Sequence, residues 1–493
     1  MESGYKEKLG TESETSWKPT PLTGRSLAVL LWLAPAALLW TVLAFIARIP
    51  TAGAVKITNV LFVVTLPLTY LAILAAAVCA SSRPRAAAVR AAAMTFGLIL
   101  ALGLLELAAV VRLVHWQLVF MALRGEEQHY VPDPDLGFRH APSIRWSGRQ
   151  RSDVETAWGL PASASDPLTF TYDAHGFRNV TPLARADIVL IGDSYVEGQY
   201  VSDDQIVSRA LQTRLDRSVA NLGVAGYGTA QELIVLERDG MALEPNIVIW
   251  FFFEGNDLYD DQEFENTLVA PREVRASAWT ERGGWWPRSL MRNAHTHLRL
   301  LLYPIVPGQV PHFGTLAAGR HRGQRILFGP EASFPWKDFE RSRWEKAQET
   351  FREGARVTQK RNIHLLLVYI PMKFRVYRDF VELPTDSEAR DWTLWPLPDL
   401  FLQFCRTERL ACVDLTGLLR GSVGDGGMPY APADSHWSPA GHRLTALWLA
   451  KTIESLGWIS ARSAQPSRSA GQPSVTGGRE HEEARDNRRT PVE

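Results

Sequence analysis

Net charge is what this chain most plainly lacks: 53 basic and 53 acidic side chains cancel across 493 residues. With no excess of either sign there is no field to gather a polyanion, which excludes nucleic acid as a partner. Cysteine is scarce, with three residues in all. Cys79 falls in an apolar run, leaving Cys405 and Cys412 as the one pair in the polar part of the chain. In an oxidising compartment they would form a disulfide; otherwise they are two partly buried thiols at a helix end and a strand start. No repeat at solenoid spacing is visible. No G-x-S-x-G occurs, which removes the usual α/β-hydrolase elbow, and no H-E-x-x-H occurs. A metal site built from Asp434, His436 and His442 would need the helix bearing His442 to fold back, so neither a metal nor another cofactor is expected. His295 and His297 read as solvated or packing side chains.

Long apolar runs are present. Residues 27–46 and 60–80 carry no charge, and residues 91–111 are interrupted only by Glu106. Each is long enough to cross a hydrocarbon core of roughly 30 Å at about 1.5 Å per helical residue. A cleaved signal peptide is a poorer reading of the first run, because a polar leader precedes it and two more spans follow. Arg83, Arg85 and Arg90 crowd the second connecting loop, whereas the first carries only Arg48 and Lys56. The positive-inside bias therefore places the leader, 1–26, in the cytoplasm, and three transmembrane helices within 27–114 send the remainder outside. The expected location is the cell (inner) membrane, with the polar domain facing the periplasm or the extracellular side. Glu106 is expected to pack against a neighbouring helix.

Beyond residue 125 the chain turns polar. Residues 188–191, 218–222, 247–253, 364–370 and 411–414 read as strands, several apolar enough to be buried on both faces. Residues 205–215, 229–240, 341–359, 398–407 and 439–456 read as helices. This alternation predicts an α/β fold, a doubly wound parallel sheet with right-handed crossovers and helices on both faces. The organisation expected is a lead-in over 125–186, the α/β domain over 187–460 with an insertion at 261–340, and a disordered tail over 461–493. The insertion holds Trp279, Trp285, Trp286 and Trp336, which suit either sugar stacking or a small core of their own.

In an open parallel sheet, ligands bind beyond the carboxyl ends of the strands. After the first strand come Gly192, Asp193 and Ser194 in "IVLIGDSYVEG". After the second comes the glycine turn of "NLGVAGYGTAQEL", and after the third Gly255, Asn256 and Asp257 in "NIVIWFFFEGND". The loop before the last helix supplies Asp434 and His436 in "DSHWSPAGHRLTA". Singly these are turn and cap residues. Together they bring to one rim a hydroxyl, a base that titrates near neutrality and an acid two residues from that base, so both can face one side of an extended segment.

With "YDAHGFRN" upstream, these motifs resemble the SGNH (GDSL) hydrolase family over residues 170–456, and imply its flavodoxin-like fold. The resemblance implies that Ser194 is the nucleophile, His436 its general base and Asp434 the orienting acid. The N–H groups of Ser194 and Gly226 and the amide of Asn256 would form the oxyanion hole. The usual family spacing is D-x-x-H. Ala433 occupies that position here, so the chain has D-x-H-W, which is similar to the variant in alginate O-acetylation proteins. "VYIPMKFRVY" also looks like that group, and Lys373 and Asp193 are expected to touch substrate. The implied protein is a membrane-anchored esterase or O-acetyltransferase working through an acyl-serine. Its substrate would be an acylated carbohydrate or other ester, most simply the O-acetyl groups of a surface or exported polysaccharide, with a membrane partner supplying acyl groups. The alternatives are a catalytically inactive carbohydrate-binding or scaffold component of an export complex, and a lipase or lysophospholipase.

Overall fold

The computed structural model describes residues 69–70, 72–111, 113–123, 129–158, 166–268, 289–290, 293–294, 297 and 312–459. The first apolar run lies outside these residues, as do positions 60–68 and 71 of the second. The third falls within helix α1, Pro84–Val110. At about 1.5 Å per residue its 27 residues reach about 40 Å. Among the described residues it is the one helix long and apolar enough to cross a membrane. Ile99, Leu100 and Leu104 point outward from it, uncovered by the rest of the chain. The Glu106 carboxylate accepts the Leu290 N–H at 2.9 Å, so its observed partner is in the 261–340 segment.

The lead-in forms two antiparallel pairs, β1 (Tyr130–Asp133) with β2 (Gly137–His140), and β3 (Arg145–Gly148) with β4 (Leu168–Thr171); helix α2, Asp153–Trp158, lies between β3 and β4. It is built into the α/β domain: Phe138, Phe177 and Ala186 belong to its core. Arg178 is buried, donating to the Asp203 carboxylate at 3.0 Å and to the carbonyls of Val201 (2.6 Å) and Thr169 (3.1 Å). A guanidinium can be buried because its several donors all find acceptors.

The expected runs form one five-stranded parallel sheet: β5 (Ile188–Ile191), β6 (Val219–Asn221), β7 (Ile247–Phe253), β10 (His364–Ile370) and β12 (Ala411–Asp414), in the order β12-β10-β7-β5-β6. Numbered along the chain this is 2-1-3-4-5, the flavodoxin-like order, and it reverses between β5 and β7. Ile188 is opposite Val219 on one side and Ile247 on the other. Successive residues of a strand face opposite ways. Ile249, Phe251 and Phe253 of β7 accordingly pack with Leu211 of helix α4 (Val207–Leu215) and with Leu449 and Ile453 of the last helix. Val248, Trp250 and Phe252 pack on the other face with Val235 of α5 (Thr229–Val235) and Phe351 of α7 (Asp338–Gln359). Helices on both faces explain why these strands read as continuous apolar runs.

Several boundaries differ from expectation. Helix α6, Asp257–Leu268, carries the domain past the expected start of the insertion at 261, and α5 ends in a π turn over Leu236–Gly240. Between α6 and α7, β8 (Phe313–Leu316) and β9 (Arg325–Leu327) join β11 (Val381–Glu382) in an antiparallel sheet. Trp279, Trp285 and Trp286 lie outside the described residues, while Trp336 packs against Trp395 at 5.5 Å between ring centres. After β10 comes α8 (Lys373–Tyr377), then α9 (Leu397–Glu408), α10 (Thr416–Gly424) and α11 (Pro439–Ser455). Cys405 and Cys412 are joined as a disulfide that links the end of α9 to β12.

His442, in the first turn of α11, is buried with its ring edge-on to Trp437. Burial, with Arg178 and His436 adding to it, pushes its pKa down to about 3. A histidine in the unfolded chain titrates near 6.5. Between these values the unfolded state binds the additional proton, so the stability His442 allows at neutral pH is lost as pH falls from about 6.5 toward 3. Thermal melts between pH 7 and 4 should show a steep fall in midpoint that is shallower in His442→Gln; equal slopes would contradict this.

Candidate active site

The position of Ser194 follows directly from strand chemistry. β5 is buried on both faces and cannot continue past Gly192, where Asp193 caps the short helix α3, Ser194–Glu197, by accepting the Tyr195 N–H at 2.9 Å. Gly223 permits the turn after β6 to come close to α3: a Cβ there would lie 2.4 Å from the Glu197 backbone nitrogen. Gly226 has a φ of +79°, a conformation in which a side chain is strained even though a Cβ there would meet only Phe138, at an ordinary contact distance of 3.8 Å.

The loop between Tyr430 and Trp437 delivers the other two members. It is closed by a backbone bridge between those residues. His436 Nε2 lies 2.8 Å from Ser194 Oγ, and His436 Nδ1 lies 2.6 Å from Asp434 Oδ1. The same Asp434 oxygen accepts the His436 backbone N–H at 2.9 Å. A carboxylate only accepts, so the proton between the two side chains sits on Nδ1, and in the neutral ring Nε2 is free to accept from the serine hydroxyl. The D-x-H spacing thus brings acid and base into direct contact. Tyr195 ties the two halves together, its hydroxyl donating to the Ser435 carbonyl at 2.7 Å.

Burial alone would lower the His436 pKa, but Asp434, through charge and hydrogen bond, and then Asp153 and Asp193 raise it to about 9. Asp434 is held well below the usual carboxylate range: burial opposes this, and the contact with His436 overcomes it. Burial pushes Asp193 up to about 6, tempered by the Tyr195 N–H and by His436.

The three expected oxyanion donors stand at the ends of β5, β6 and β7. The N–H groups of Ser194 and Gly226 make no hydrogen bond among the described residues. Asn256 Nδ2 donates to Asp260 at 2.7 Å, leaving its second hydrogen for another acceptor.

Lys373 differs from expectation. It is buried, and its ammonium donates to the carbonyls of Ala431 (2.6 Å), Pro432 (2.8 Å) and Asp434 (2.9 Å). Three donors on three carbonyls make it the clamp of the Asp434–His436 loop, with no hydrogen left for substrate. Asp193 is likewise a buried cap whose second oxygen faces Ser194 Oγ at 3.3 Å.

Two contributors were not expected from the sequence. Glu197, three residues after Ser194, is fully buried. It accepts the Tyr172 hydroxyl and the Ala225 N–H, each at 2.6 Å, and lies 3.1 Å from His140 Nε2. It links α3 to the turn bearing Gly226. The only local signal is its i+3 relation to Ser194. The second is Asp153, whose N–H donates to Asp434 Oδ2 at 2.9 Å; nothing beyond a helix-start pattern marks it. Asp153, Asp434 and His436 place ligand atoms within 4.8 Å of one another, a donor set that could hold a cation. The facing oxygens already accept N–H and O–H groups of the loop and of the Asp153 helix, which makes the set a hydrogen-bonded network.

Residues 327–479 match the family described as SGNH hydrolase-like domain, acetyltransferase AlgX. The likeness to SGNH hydrolases of this type, drawn above from motifs, is therefore also found by family comparison, and the chain has an SGNH hydrolase-like α/β fold with a parallel sheet. The matched segment holds Lys373, Asp434 and His436; Ser194, Gly226 and Asn256 precede it. No curated protein matches the chain. Among solved structures, a protein described as lipolytic, of the G-D-S-L family, from Desulfitobacterium hafniense DCB-2 is similar at 11% identity, covering 54% of this chain and 98% of its own, with a TM-score of 0.30. A GDSL-like lipase from Bacteroides thetaiotaomicron VPI-5482 is similar at 10%, covering 55% and 88%, with a TM-score of 0.28. A two-domain esterase active on acetylated mannans is similar at 13%, covering 57% and 52%, with a TM-score of 0.29.

Lys373→Met keeps the stem and removes the donors. A buried carbonyl left unpaired costs about 1–3 kcal/mol, so denaturant unfolding should show a loss of at least about 2 kcal/mol. Normal stability with weakened substrate binding would instead restore the expected substrate contact.

Proposed function

We propose that this protein is a membrane-anchored, extracytoplasmic serine esterase or O-acetyltransferase that works through an acyl-serine intermediate on O-acetyl groups of a surface or exported polysaccharide. The observation that carries the reading is the continuous contact from Ser194 Oγ through His436 to Asp434, at 2.8 and 2.6 Å. A serine hydroxyl attacks an ester only if a neighbouring base removes its proton, and His436 Nε2 is the base in reach. As Oγ bonds to the acyl carbon, the carbonyl oxygen becomes an oxyanion. The Ser194 and Gly226 N–H groups and the Asn256 amide stabilise it. His436 then returns the proton to the leaving alcohol as the ester bond breaks, and Asp434 stabilises the imidazolium meanwhile. Water or a sugar hydroxyl, deprotonated by the same histidine, releases the acyl group in the second half. The AlgX description supports acetyl as the group transferred.

Anchoring is proposed through spans at 27–46, 60–80 and 91–111, the last within α1, with residues beyond it outside the cytoplasm. The Cys405–Cys412 disulfide supports an oxidising compartment. A membrane partner would deliver the acyl group to the site.

The test is turnover of p-nitrophenyl acetate by the full chain in detergent. Ser194→Ala and His436→Ala should fall to background, and Asn256→Ala should lose about 10²–10³ in kcat. Since the neutral imidazole is the active form and His436 is raised to about 9, kcat/KM should climb about tenfold per pH unit below that value and level off above it. Undiminished turnover in Ser194→Ala would overturn the reading. A well-folded wild type without turnover would favour the scaffold alternative.

A further inference from the structure

We propose that Asp153 is a positioning residue for the Asp434–His436 pair, a second carboxylate that fixes their loop and sets the charge at the Nδ1 edge of the imidazole. The inference rests on the acyl-serine reading above. Asp153 belongs to the lead-in, yet it grips the His436 loop from three sides. Its Oδ1 accepts the Ser435 N–H at 2.9 Å, its Oδ2 accepts the Ser435 hydroxyl, and its own N–H donates to Asp434 Oδ2 at 2.9 Å. Ser152 donates from its hydroxyl to the carbonyl of Ala433. Both neighbours of Asp434 in the loop, together with its second oxygen, are thereby held from outside while Lys373 holds the carbonyls from within. Asp434 cannot rotate its carboxylate away from His436 without breaking the Asp153 contact.

The carboxylate also lies 3.9 Å from His436 Nδ1. Without Asp434 it would be the nearest alternative partner of that nitrogen. The charged and titratable groups around it are Asp434 and His436 on the loop, Asp193 at the start of α3, Glu155 on its own helix and Tyr200 beyond α3. Lys373 stands behind the loop. Burial, then Asp434, push the Asp153 pKa up to about 7 against the pull of His436. Its side chain keeps 41% of its surface open, so solvent screens part of this interaction. A carboxylate at this distance favours the protonated imidazole. Removing the charge should let His436 act as a base at lower pH, and removing the hydrogen bonds should loosen its aim.

The experiment measures the rate of Ser194 labelling by a fluorophosphonate against pH, in the full chain in detergent. Wild type is compared with Asp153→Asn, Asp153→Ala, Asp153→Glu and Ser194→Ala. Asp153→Asn keeps an acceptor for Ser435 but no charge, and its acid limb should move down by about half to one pH unit with a plateau within about tenfold of wild type. Asp153→Ala should lose more than about tenfold at the plateau. Asp153→Glu should restore the wild-type midpoint. A residue that merely stabilised the fold would alter melting but not the midpoint. Superimposable midpoints for Asp153→Asn and wild type overturn the proposal alone. Wild-type labelling no faster than Ser194→Ala overturns the acyl-serine reading, and this proposal with it.

Discussion

The contact between Asp434 and His436 sets the terms for everything around it. A buried acid and a largely covered imidazole lie side by side, the acid accepting both the ring and the backbone N–H of a residue only two positions along. Such a pair is stable only if its remaining lone pairs and donors are satisfied, since a buried charge left unpaired is expensive. The surroundings meet that requirement one atom at a time. Lys373 donates to the loop carbonyls, Asp153 supplies an N–H to the second Asp434 oxygen, and Tyr195 reaches across from α3. The loop can then hold Nε2 against Ser194 Oγ without depending on any regular helix or strand.

A second buried network does the same for the opposite wall. Glu197 is held at a pKa of about 2: burial opposes this, but His140, Tyr172 and the Ala225 N–H favour the ionised form. It joins α3 to the turn containing Gly226, while Asn221 connects the Val196 carbonyl and the Gly223 N–H. Ser194 and the Gly226 turn are therefore braced through hydrogen-bonded acids rather than through apolar packing alone, which would suit the proposed oxyanion hole, whose donors must already point the right way before charge develops.

Much of this was legible in the sequence. The five strands fall where continuous apolar runs predicted them, because strands buried on both faces leave a signal independent of context. Ser194, Gly226 and Asn256 are marked by their place after strand ends and the Asp434–His436 pair by the loop before the last helix, and the structure brings that pair to Ser194. What escaped notice is pairing across distance. Asp153 and His140 sit in a lead-in with no periodicity, and their partners lie far along the chain, so no local pattern records the contact. The place of Lys373 is hidden for a related reason: a lysine just after a strand reads as rim chemistry, and only the folded loop reveals three inward carbonyls. The helix over Asp257–Leu268 was obscured by its polar face, which resembles the start of a loop insertion.

The central claim is that Ser194 carries the acyl group. Its most direct test is to mix the full chain with an activated acetyl ester, quench in acid within the first turnover, and map the digested peptides by mass spectrometry. The account predicts one acetyl on the peptide bearing Ser194, absent from Ser194→Ala and accumulating in a variant slowed at deacylation. Rapid turnover by wild type with that peptide unmodified, or with the acetyl on a different residue, would contradict it.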